Sequence, residues 1–196
     1  MASFQYLFKN RKRYSVFTTP FLKAWLKRIL LFKRLIVVNW RWCKLKWAGA
    51  DIHGTTEVGL PKIEGNKHNL KVGSFTTLGR IEIALHDKVI IGNNVCINDG
   101  VILLTASHDI LDPEWKHKKG AIIIEDYVWI ATNAIILPNV KIGVGAVIGA
   151  GAVVSKSVPS YSVVVGNPMK IIEKKRVENL NYNPCEYLAL NNAWVK

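Results

Sequence analysis

A chain of 196 residues, 49% of them hydrophobic, is long enough for one domain with a sizeable core. The formal net charge of +13 is unevenly placed: residues 1–47 hold 12 of the 27 Lys and Arg and none of the 14 Asp and Glu, so the rest is nearly neutral. The positive charge therefore belongs to an arm. Cys43, Cys96 and Cys185 are too few and too scattered for a disulfide framework or a cysteine metal centre. A reducing cytoplasm is the expected compartment. The start, MASFQYLFKNRKRY, lacks the apolar core and small-residue site of a cleavable signal, and no apolar run of about 20 residues predicts a membrane span.

Residues 1–49 read as the basic, aromatic arm. After Pro20, a favourable first helical residue, Leu22, Trp25, Leu26, Ile29, Leu30 and Leu35 follow helical spacing, with Lys23, Lys27, Lys33 and Arg34 interleaved. Such a helix suits the surface of an anionic membrane. It equally suits packing on a larger body with its lysines solvated. A nucleic-acid arm ranks last, because no nucleic-acid module accompanies it.

From Ala50 to Leu70 the pattern is loose, although Ile52 and Val58 lie six apart; this predicts a first, irregular coil that acts as a cap. Val72 and Leu78, then Leu85, Ile91, Ile97 and Leu103, keep a spacing of six, with Val89, Val95 and Val101 in a second column. Residues 124–159 make the period plain as IEDYVW, IATNAI, ILPNVK, IGVGAV, IGAGAV, VSKSVP. The first column is branched aliphatic throughout, and the fifth is Val or Ala throughout. Neither a two-residue nor a 3.6-residue period produces this. A strict six-residue repeat predicts a parallel β-helix over residues 50–172, one short strand and one corner per hexad, with both columns turned inward. Leu103 and Ile124 are 21 positions apart, so residues 105–120 form an excursion that leaves the coil and returns. Residues 173–196 read as a C-terminal tail, in which Tyr187, Leu188, Leu190 and Trp194 allow a helix against the coil.

Chemistry concentrates on loops held by a rigid scaffold. His108 opens the excursion and is placed to act as a general base, neutral near pH 7 at an ordinary imidazole pKa of about 6.5. The residue pattern alone suits a solvated loop histidine equally well. Asp109 and Asp112 are near enough in sequence to orient His108 or to contact a hydroxylated acceptor. His53, His68, His86 and His117 have less context; His117 sits among lysines with nothing to hold it. No nucleophile elbow, phosphate loop or dinucleotide fingerprint is present, and the Gly-x-Gly runs from Gly143 to Gly151 fall in hexad register as corners. No metal is expected.

IGNNVCINDGVILLTASHD, IIIEDYVWIATNAIILPNVKIGVGAVIGAGAVVSKSVP and VVVGNPMKII follow one another between Ile91 and Ile172. In these motifs the chain resembles the hexapeptide-repeat acyltransferases, and among them the sugar and polysaccharide O-acetyltransferases. The resemblance implies an all-β, left-handed parallel β-helix assembled as a homotrimer, with acetyl-CoA as co-substrate. It implies that His108 takes the proton of a saccharide hydroxyl, that Trp129 lies along the pantetheine arm, and that Thr132, Ala150 and Ser155 meet the CoA chain. Lys170 and Lys174 would fall near its phosphates. Ala131 stands where the family usually has Gly, and Glu173 where it often has a basic residue. On the acceptor side His86 and Asp87 replace the pattern of the small-sugar enzymes, and with Asp109 they are the candidate acceptor contacts. The expected acceptor is thus a surface polysaccharide or its lipid-linked precursor. An amino-sugar nitrogen, serine or an antibiotic hydroxyl are alternative acceptors, and a non-catalytic β-helical binding protein is the alternative of a different class. The three-histidine metal set of carbonic-anhydrase-like coils is missing.

Overall fold

The computed structural model describes residues 3–195. Three parallel sheets form the walls of a triangular coil. The first holds strands Asp51–Ile52, Leu70–Val72, Val89–Ile91, Ile122–Ile124 and Lys141–Ile142. The second holds Glu57–Val58, Thr77–Leu78, Cys96–Ile97, Trp129–Ile130, Val147–Ile148 and Ser162–Val165, and is closed by the antiparallel Lys170–Lys175. The third holds Lys62–Gly65, Glu82–Leu85, Ile102–Leu104, Ile135–Ile136 and Val153–Val154. The chain visits the walls in that order on each turn, the arrangement expected of a parallel β-helix.

Both predicted columns point inward. Ile124, Ile130, Ile136, Ile142, Ile148 and Val154 are buried, and so are Val128, Ala134, Val140, Ala146, Ala152 and Val158. Each full turn stacks these residues on those of the next, so the core is a continuous inner column whose layers depend on their neighbours. In the upper coils Ile123 pairs with Lys141 and Trp129 with Val147, steps of eighteen residues that keep three hexads per turn. In the lowest coil Asp51 pairs with Lys71, Glu57 with Thr77 and Lys62 with Glu82, steps of twenty. The first coil is therefore in regular register wall by wall; its third-wall strand, Lys62–Gly65, is longer than the two-residue strands of the upper coils on that wall, which blurs the hexad pattern in the sequence.

Polar side chains staple the corners. Between the first and second walls, Asn93 Oδ1 accepts from the Ser74 backbone N–H at 2.8 Å, and Asp126 Oδ1 accepts from the Asn93 N–H at 2.7 Å. Between the second and third, Asp99 Oδ1 accepts from the Arg80 N–H at 2.8 Å. Between the third and first, the buried Thr105 Oγ1 accepts from the N–H groups of His86 and Asp87. Each bond satisfies a backbone donor that a tight corner would otherwise leave without a partner.

The arm contains α1 (Phe4–Lys9) and α2 (Thr19–Trp47), the latter capped by Thr18, whose side chain accepts from the Phe21 N–H. Trp42 and Leu45 pack against the coil core, and Trp42 Nε1 donates to the His53 carbonyl at 3.0 Å. The tail carries α3 (Ala189–Val195). It builds a second core with the arm, in which Leu7, Leu35, Val38, Cys185, Leu190 and Trp194 come together. Arg28 is buried within this contact and donates to the carbonyls of Ala193 at 3.1 Å and Lys12 at 2.9 Å. The arm thus packs on the coil and on the tail through one face, while much of its remaining surface stays open.

Candidate active site

The excursion is a hairpin. Ala106–His108 pairs antiparallel with His117–Lys119, and the register sets His108 opposite His117. It leaves at the corner between the third and first walls and is anchored there by Thr105. The half-buried His108 ring contacts two others, Trp115 with centroids 4.1 Å apart and His117 with centroids 4.3 Å apart. His86, on the adjacent corner below, approaches His117 at 6.4 Å. His108 Nδ1 lies 2.7 Å from the Trp115 carbonyl oxygen. A carbonyl only accepts, so Nδ1 must carry the proton, and in the neutral ring Nε2 is left as the basic lone pair.

The carboxylates beside it are occupied with local turns. Asp109 Oδ1 accepts from the Leu111 N–H at 3.0 Å, and Asp112 Oδ1 accepts from the Glu114 N–H at 2.8 Å. Asp87 Oδ1 accepts from the N–H of its neighbour Lys88 at 2.7 Å. Asp109 and Asp112 shape the loop that brings Trp115 back onto His108, whose Nδ1 bonds to the Trp115 carbonyl and not to either carboxylate. Thr105, Trp115 and His117 were not singled out as functional residues from sequence. No periodicity marks the return strand, where residues 116–120 read KHKKG, and the turn length needed to pair His117 with His108 is not encoded in any motif.

The remaining candidates lie elsewhere on the prism. Trp129 projects outward from the second wall, 41% exposed, between Cys96 and Val147 on the neighbouring strands. Thr132 and Ala150 are exposed on successive layers of the corner between the second and third walls. Ser155 is exposed on the corner shared with the excursion. Lys170 and Lys174 are exposed on the closing strand. In a triangular coil the corner bearing His108 is the one opposite the second wall, so a single chain keeps His108 and Trp129 on opposite sides. Small side chains at Thr132 and Ala150 and an exposed indole leave room for an extended ligand along this wall.

A groove of about 1150 Å³ runs between α2 and the second wall. Lys33, Arg34 and Arg41 come from the helix side, and Thr77, Cys96, Asp99 and Thr132 from the coil side. Glu57 closes its lower end; its side chain accepts from Asn191 Nδ2, and burial raises its carboxyl above the usual range. Among the described residues no cluster of His, Cys, Asp or Glu forms a metal-binding group.

The family described as bacterial transferase hexapeptide (six repeats) matches residues 121–156. A Schizosaccharomyces pombe protein bearing an acetyltransferase name is 43% identical over 97 residues, 46% of this chain and 44% of the relative. The chain spans about half the length of several curated relatives it matches. Escherichia coli WcaF, named as a colanic acid biosynthesis acetyltransferase, is 31% identical over 145 residues, 73% of this chain and 79% of WcaF. The solved hexapeptide-repeat acetyltransferase VCA0836 of Vibrio cholerae, in complex with acetyl-CoA, shares the fold with a TM-score of 0.66 at 23% identity, covering 90% of this chain and all of that one. The matched repeats, the coil they build and the span shared with WcaF lead to one conclusion: the chain belongs to the hexapeptide-repeat transferase family.

Proposed function

We propose that the protein is an acetyl-CoA-dependent O-acetyltransferase acting on a sugar hydroxyl of a surface polysaccharide or its lipid-linked precursor. The observation that carries this reading is the bond from His108 Nδ1–H to the Trp115 carbonyl, which leaves Nε2 free to accept a proton. Support for the donor and acceptor classes comes from the names of the relatives, an acetyl-CoA complex in one and colanic acid biosynthesis in another.

In this reading His108 Nε2 takes the proton as the sugar oxygen attacks the thioester carbonyl. That attack forms the new C–O bond and a tetrahedral oxyanion; its collapse restores the carbonyl, breaks the C–S bond and expels the CoA thiolate, which recovers the proton from Nε2. No covalent enzyme intermediate is required. A positioned base of this kind contributes roughly 10²- to 10⁴-fold. The second wall, with Trp129, Thr132 and Ala150, receives the pantetheine arm, Ser155 contacts the CoA chain, and Lys170 and Lys174 lie toward its phosphates. His108 stands opposite that wall within one chain, so the base and the donor wall of one site come from two copies. Three equivalent edges and three equivalent walls are satisfied by a homotrimer. The groove beside α2 takes the saccharide, and His86, Asp87 and Asp109 flank the base on the acceptor side. The reaction belongs in the cytoplasm.

The test is thiol release from acetyl-CoA with a panel of glycans and their lipid-linked forms. His108→Ala should lose about 10²- to 10⁴-fold in kcat while acetyl-CoA binding changes less than about threefold. Full activity in that variant would reject the base assignment.

A further inference from the structure

Helix α2 presents three distinct faces. Arg28, Leu35 and Val38 are buried, and Leu30, Lys33, Arg34 and Val37 border the groove. The third face carries Leu22, Leu26, Ile29, Ile36, Trp40 and Trp47, at intervals of three, four or seven residues that align them in one stripe, with Lys33 in the same row between Ile29 and Ile36 and also reaching the groove. The apolar side chains of the stripe are exposed, from 48% at Ile36 to 73% at Trp47. A helix of 29 residues is about 43 Å long, so the stripe is too extensive for the scattered apolar residues of an ordinary surface.

Spacing of three and four also suits the seam between two helices, so a second copy is the rival occupant. Two features weigh against it. Phe32 and Leu30 extend the apolar surface beyond a two-position seam, giving the broad face of an interfacial helix. Residues 1–47 contain no Asp or Glu, so the same helix from a second copy would set Lys23, Lys27 and Lys44 against like charge. Among the described residues the one salt bridge made by α2 joins Lys46 to Asp51 at 3.4 Å, leaving those three exposed lysines available to anions. No helix among the described residues is long and apolar enough to cross a membrane. Broad apolar exposure, tryptophans, Lys33 and Lys44 along the stripe, and Lys23 and Lys27 on the helix flank toward the tail fit the headgroup layer of an anionic bilayer.

We propose that the outward face of α2 seats on an anionic phospholipid bilayer with the helix axis in the membrane plane. Lys33 and Val37 lie where this face meets the groove, so docking opens the groove along the membrane surface, toward a lipid-held saccharide. That orientation rests on the acyl-transfer reading; the docking does not.

The full chain is sedimented with vesicles of phosphatidylglycerol and phosphatidylcholine in equal parts, and with phosphatidylcholine alone. Binding should be more than about tenfold stronger to the anionic vesicles and should weaken as salt is raised. The triple variant Ile29→Ser, Ile36→Ser, Trp40→Ser should lose this binding at least about tenfold yet keep thiol release with a soluble saccharide. The charge variant Lys23→Glu, Lys27→Glu, Lys44→Glu should behave alike. Equal binding to both vesicle types, or undiminished binding by the serine variant, would overturn the proposal. So would a change in copy number of that variant by sedimentation equilibrium, since the face would then be covered by another subunit. Vesicle binding by a chain that releases no thiol with any glycan would support docking and count against acyl transfer alone.

Discussion

The imidazoles of His108 and His117 meet across the excursion hairpin with centroids 4.3 Å apart and planes at 48°. Opposed positions on paired antiparallel strands place side chains on one face within contact distance, so the register itself produces this neighbour. With the Trp115 ring also in contact, centroids 4.1 Å apart, and the Nδ1 bond to the Trp115 carbonyl, the His108 ring is held at three points. If His108 is the base, as proposed above, His117 acts as a positioning residue. His117→Ala should lower kcat about tenfold, some 1.4 kcal/mol, with little change in KM for acetyl-CoA. His117→Phe, which restores a flat ring without a titrating group, should recover most of the loss and leave the kcat–pH profile unchanged. Equal loss in both variants would mean that His117 acts through its nitrogen atoms.

The clamp between arm and tail should dominate the stability of that end. Trp194 is buried against Arg28, whose guanidinium lies 5.2 Å from the indole centroid and donates to carbonyls of both segments. Trp194→Ala should cost about 3–5 kcal/mol through the cavity left behind. Arg28→Met retains apolar volume but leaves carbonyls without their donor, and should cost about 1–3 kcal/mol. Urea titration followed by far-ultraviolet circular dichroism measures both.

Glu57 introduces a pH dependence of definite sign. Burial raises its carboxyl pKa, and the hydrogen bond from Asn191 opposes that only partly. The folded state therefore holds the proton more tightly than the unfolded chain. Its contribution to stability falls as pH rises from the ordinary glutamate range to the raised value, and is level above it. Glu57→Gln keeps an oxygen acceptor for Asn191 and removes the charge. Its stability relative to the original chain should grow across that window, as read from thermal melts at a series of pH values.

The three cysteines should react at three different rates. Cys185 is fully buried, and that burial pushes its thiol up to about 12, so little thiolate exists near pH 8. It should label about a thousandfold more slowly than an ordinary thiol until denaturant is added. Cys96 is half-buried in the groove wall with its thiol also raised by burial, and an acceptor occupying the groove should protect it. Cys43 lies beside the exposed stripe of α2, and anionic vesicles should protect it. Mass spectrometry of maleimide-labelled peptides separates the three.

What the linear order of residues determined by itself was the coil. One branched and one small residue in every six can be buried together only if the chain turns a corner per hexad, and Ile124 to Val158 obey this without interruption. It also set the excursion, because 21 positions between Leu103 and Ile124 cannot be wound into whole hexads, and it set the cationic arm. Only the tertiary structure decided the surroundings of His108. The Trp115 carbonyl and the His117 ring reach it through a hairpin register, whereas Asp109, its sequence neighbour, turns its carboxylate to the Leu111 N–H. The same holds for the tail: Leu190 and Trp194 find Leu7 and Leu35 from the far end of the chain. Local periodicity reports which side of an element is buried, but not which distant surface buries it, because that choice depends on how whole elements fit together. For α2 this left one apolar face covered and another open, a distinction that spacing alone does not contain.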